Sequence, residues 1–71
     1  MGWNEEILSL MKVGTPVRVG DLVETLKDLH PRMEPTTVYS HIHYALNIAE
    51  KYRMVDKIRE SKTVTYWVRI A

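Results

Sequence analysis

The chain has 71 residues, a formal net charge of +1, 45% hydrophobic and 27% charged residues, and no cysteine. A chain this short buries only about 60% of the surface it exposes when unfolded, so residues 1–71 read as a single thin-cored domain. The composition excludes a disordered tail, and the absence of thiols excludes disulfide staples and thiolate metal sites. The uncharged stretch Val38 to Ala49 contains two histidines, an asparagine and a serine. No membrane span is therefore expected, and the chain reads as soluble and cytoplasmic.

The charge is unevenly spread. Residues 1–50 hold four Lys/Arg against seven Asp/Glu, a balance of −3. Residues 51–71 hold six Lys/Arg against two Asp/Glu, a balance of +4.

The first periodic segment runs from Asn4 to Val13. Ile7, Leu8, Leu10 and Met11 recur at helical spacing, Asn4 is a candidate N-cap, and Glu5 and Glu6 favour the first turn. Gly14 stops this helix, Thr15-Pro16 turns the chain, and Val17 suits a very short strand. The second segment, Val19 to Leu29, places Val19, Leu22, Val23, Leu26 and Leu29 on one face. His30-Pro31 ends it, because the residue before proline avoids the helical region. Pro35 opens a third helix at the favoured first position, and this helix continues to about Arg53. At about 100° per residue, Val38, Ile42, Ala45, Ala49 and Tyr52 make its apolar stripe, opposite Thr36, Ser40, His43 and Asn47.

The remainder reads as a hairpin of two β-rich runs joined by Glu60-Ser61-Lys62, a tip without glycine that requires a loop longer than two residues. Alternation from Thr63 to Ile70 places Val64, Tyr66, Val68 and Ile70 on the inner face, with Thr65, Trp67 and Arg69 outside.

Three helices followed by a two-stranded hairpin define an α+β fold, and the order resembles that of winged helix-turn-helix domains. The segment Leu29 to Ile42, LHPRMEPTTVYSHI, is similar to the helix-turn-recognition-helix of that superfamily. Met33 stands in the turn, Glu34 caps, and Thr36, Thr37 and Val38 open the helix. Glu50 to Ile58 resembles the passage into the wing, and Thr65 to Ile70 the returning strand. The chain departs from the common pattern in its longer turn and in lacking a glycine after the recognition helix.

The resemblance implies sequence-specific binding of double-stranded DNA by a small transcription regulator associated with the nucleoid. A recognition helix at about 35–53 would enter the major groove, and a wing at about 55–70 would meet phosphate or the minor groove. Carried over by position, the groove-facing residues are Thr36, Thr37, Tyr39, Ser40, His43, Tyr44 and Asn47. The wing residues are Lys57, Arg59, Ser61, Lys62 and Thr63. Arg18 and Arg32 can also reach phosphate, or serve only as surface residues. The recognition face has no Arg or Lys before Lys51, although these supply the commonest guanine contact. The same hydroxyl-and-histidine face is also consistent with plain solvation.

His41 and His43 point about 200° apart on a helix, so they do not share a metal ion, and no cofactor is expected. No phosphate loop or nucleophile triad indicates an enzyme. Trp3 and Trp67, with Leu46 and Ile48 on the shoulders of the long helix, suit either a homodimer interface or the edge of a thin core. The rival reading is a winged-helix module for protein–protein contact within a transcription, replication or membrane-remodelling assembly. The acidic first two helices favour it.

Overall fold

The computed structural model describes residues 2–71. It contains α1 (Trp3–Ser9), α2 (Val19–Leu29), α3 (Pro35–Lys51), β1 (Val55–Arg59) and β2 (Thr65–Arg69). This is the expected α+β order, three helices and then an antiparallel hairpin, laid out as a three-helix winged helix. The elements surround one core of Ile7, Met11, Leu22, Leu26, Val38, Ile42, Ala45, Leu46, Ala49, Val55 and Trp67. No polar or charged residue is buried as a whole among the described residues.

The second helix keeps its expected bounds. Asp21 accepts the Arg18 backbone N–H at 3.2 Å, half of a capping box, and the helix stops at His30 before Pro31. The first helix is shorter than its periodicity, beginning at Trp3 after Gly2 rather than being capped by Asn4. Trp3 is drawn into the first turn because its ring stacks on His41, with centroids 4.6 Å apart and planes at 16°. Leu10 and Met11 leave the helix through tighter turns onto Ile7 and Leu8. The Arg69 guanidinium donates to the Leu8 carbonyl at 2.8 Å and so takes over an acceptor at the helix end. Gly14, at φ +83°, then turns its N–H to the Arg69 carbonyl at 2.8 Å.

The third helix ends two residues before the expected position, and Tyr52 is exposed rather than part of the stripe. Its termination replaces a glycine with Arg53, held at φ +60°. The Arg53 N–H donates to the Glu50 carbonyl and the Met54 N–H to the Ala49 carbonyl, at 3.0 and 2.8 Å. These paired bonds are a Schellman motif. At the other end Glu34 occupies the N-cap position, but its side chain caps nothing. Short Ser, Thr, Asp and Asn side chains reach the first-turn amides better than glutamate does.

The hairpin corrects the expected faces. Register pairs Lys57 with Trp67 and Val55 with Arg69, so Val55, Lys57 and Arg59 share a face with Thr65, Trp67 and Arg69. That face is the inner one: Trp67 is 2% exposed and Val55 1%. Ile58, Tyr66, Val68 and Ile70 lie outside, with Ile58 and Ile70 each 46% exposed. The inversion follows from Val17, whose single-residue strand exchanges both backbone bonds with Trp67, at 2.9 and 2.8 Å. This anchoring turns the largest side chain of β2 into the core. Leu46 is also fully buried, because α3 packs against α1, α2 and β1 and its apolar arc is wider than one stripe. Trp67 and Leu46 are thus core residues rather than interface residues. Trp3 packs against the core edge as well, and Ile48 is half-buried.

Replacing Trp67 with alanine is expected to cost about 3–5 kcal/mol, read as loss of a cooperative thermal transition. Arg53→Gly relieves a left-handed non-glycine residue, worth about 1–2 kcal/mol, and returns part of that through a freer unfolded chain. The net expectation is about 0.5–1 kcal/mol of added stability, measurable as a raised denaturant midpoint.

Candidate nucleic-acid interface

One stripe of α3 is exposed on the side facing the hairpin. Tyr39, His43 and Asn47 follow one another four residues apart, so they stand in a row along the helix. The Tyr39 and His43 rings pack at 4.4 Å between centroids and 53° between planes. Across from this row, the inner face of the hairpin presents Lys57, Thr63, Thr65 and Trp67. The start of α2 closes the third side with Arg18, Val19 and Gly20. Together they bound a cleft of about 460 Å³.

The cleft has a definite sign. Arg18 and Lys57 are its permanent charges, and no carboxylate lines it among the described residues. The Lys57 ammonium lies over the Trp67 ring, 5.5 Å from the centroid. Trp67 therefore contributes twice: its ring belongs to the core and also steadies a cation at the cleft floor. His43 Nε2 is buried and makes no hydrogen bond. Such a group costs about 1–3 kcal/mol when it stays unsatisfied.

Tyr39, His43, Asn47, Lys57 and Thr63, all candidates from sequence, meet in this cleft. Tyr44 is turned about 100° from His43 and Thr37 somewhat further, so they lie outside it. Tyr44 is 65% exposed. Ser40 donates its hydroxyl to the Thr36 carbonyl at 3.0 Å, which engages its proton within the helix. Both residues sit near the N-terminal end of α3, where Tyr39 separates them from the cleft. Arg59, Ser61 and Lys62 are exposed around the loop between the strands. Val19, Gly20 and Thr65 were not candidates, because only the packing of α2 against the hairpin brings them to the site.

The hairpin tip is internally ordered. Ser61 Oγ accepts the N–H groups of Thr63 and Val64 at 3.3 and 3.1 Å, and the Glu60 N–H donates to the Val64 carbonyl at 3.0 Å. A glycine-free five-residue loop is thereby held by one hydroxyl. Of the six cations in residues 51–71, Arg69 is directed inward to α1 and does not face solvent with the rest.

Comparison with protein-family models, with curated proteins and with solved structures returns no match. Nor is any helix long and apolar enough to cross a membrane among the described residues.

Ser61→Ala is expected to speed amide exchange at Thr63 and Val64 several-fold while lowering global stability by no more than about 1 kcal/mol. Site-resolved hydrogen exchange measures both.

Proposed function

We propose that the chain is a small winged-helix protein that binds double-stranded DNA, with α3 at the major groove and the hairpin tip at the backbone. The observation that supports this most is the cleft between α3 and the hairpin, which carries Arg18 and Lys57 and no carboxylate. The first fifty residues are net acidic, so a cation-only cleft is a local arrangement rather than an average property of the chain. Exposed Arg59 and Lys62 add two cations around the tip, on either side of exposed Glu60.

In this reading the phosphate contacts supply most of the affinity. Sequence preference comes from Thr36, Thr37 and Ser40, which offer hydroxyl oxygens to base edges from outside the cleft. With no arginine or lysine among them, discrimination per base pair is expected to be modest. A regulator of this kind would depend on several adjacent contacts rather than one bidentate pair.

The rival reading, a protein-contact module, is favoured by the outer face of the hairpin. Ile58, Tyr66, Val68 and Ile70 form an apolar strip there, the surface left for a protein partner or a second copy.

A fluorescence titration against a random 20-base-pair duplex at low salt separates the two readings. Binding that weakens steeply as salt rises supports the DNA reading, and its absence below high micromolar concentration overturns it. Arg59→Ala with Lys62→Ala is expected to weaken binding about tenfold or more and to reduce the salt slope by about two phosphate contacts. Ser40→Ala is expected instead to change sequence preference in a selection from random duplexes.

A further inference from the structure

We propose that the cleft is a seat for one phosphate group, held by Arg18, Lys57 and His43, which accepts a free phosphate ion as well as a phosphate of the duplex backbone. Only the second source rests on the DNA-binding reading. Three independent observations converge on this chemistry. The charged groups that line the cleft are Arg18 and Lys57, both positive, so its field selects anions. His43 lines the same cleft and its Nε2 has no partner, so a turn of the ring toward a phosphate oxygen seated there supplies one. Asn47, Thr63 and Thr65 add amide and hydroxyl donors around the same space.

The dimensions fit one group. A cleft of about 460 Å³ admits a tetrahedral anion with part of its hydration shell, whereas a base pair within a duplex does not enter it. Lys57 is positioned for this purpose by its contact with Trp67, 5.5 Å from the ring centroid, which steadies a flexible side chain. The donors come from four separate places: the residue before α2, the middle of α3, β1, and the tip with β2. None are neighbours in an unfolded chain. A phosphate that binds there binds only the folded state and therefore stabilises it.

The test is a proton–nitrogen NMR titration of the full chain with inorganic phosphate, beside sodium chloride at matched ionic strength. Saturable shifts are expected at Gly20, His43, Thr63, Thr65 and the Trp67 indole, with the Trp3 indole unmoved as an internal reference. Phosphate should also raise the melting temperature more than chloride does. Arg18→Gln with Lys57→Gln is expected to weaken phosphate binding at least tenfold, and both residues are exposed, so the fold should persist. If the double variant does not fold, each single variant is expected to give a several-fold loss. His43→Ala should also weaken binding, with partial recovery in His43→Gln, whose side chain keeps an N–H donor.

Shifts that follow ionic strength alike for both salts would overturn the proposal, as would binding indifferent to all these substitutions. The DNA reading fails separately. Phosphate binding without duplex binding supports the seat and removes the regulator, while duplex binding without saturable phosphate binding does the reverse. Arg59→Ala with Lys62→Ala lies outside the cleft and is expected to leave phosphate binding as it is.

Discussion

The architecture depends on how Trp67 joins the hairpin to the helices. Its backbone exchanges two hydrogen bonds with Val17, and its side chain is almost wholly buried in the helical core. A two-stranded hairpin is marginal alone in water, so it needs this attachment to hold a fixed orientation. Once the indole is inside, the pleat decides the rest. Lys57, directly across the ladder, must face the same way, and Ile58, Tyr66 and Val68 must face out. One packed ring therefore sets the electrostatics of the cleft and the hydrophobicity of the opposite surface.

This dependence explains what the sequence conveyed and where it failed. The helices α2 and α3 were legible because their apolar residues repeat at helical spacing and proline marks a boundary of each. The hairpin was legible as alternation, but its phase was not. Val64, Tyr66, Val68 and Ile70 outnumber the apolar residues of the other face, so counting selects the wrong side. One tryptophan buries more area than any single aliphatic residue, and Val17 fixes it there. The end of α1 was hidden for a related reason: Arg69, its carbonyl partner, lies 61 positions from Leu8. Leu46 was misplaced because a single stripe underestimates the buried arc of a helix packed on three sides.

At the site, sequence spacing correctly grouped Tyr39, His43 and Asn47 on one row of α3. It also named Lys57 and Thr63, through their place in the hairpin. What it left open was which of the scattered cations joins them. Arg18 had equal standing with Arg32 as a residue able to reach phosphate, and only the packing of α2 beside the hairpin brings Arg18 to the cleft. The bond from Arg69 to α1 likewise removes one cation from the basic segment. The net charge of +1 conceals an acidic helical scaffold with a small number of placed cations.

The Arg69 contact also bears on how the parts of the fold depend on one another. A helix of seven residues is too short to persist alone in water. Its far end is held by the Arg69 guanidinium on β2, and the β bridge from Val13 needs the same strand. The stability of α1 thus rests on a strand distant from it in sequence. Formation of α1 and docking of the hairpin are therefore coupled, and weakening either one loosens the other.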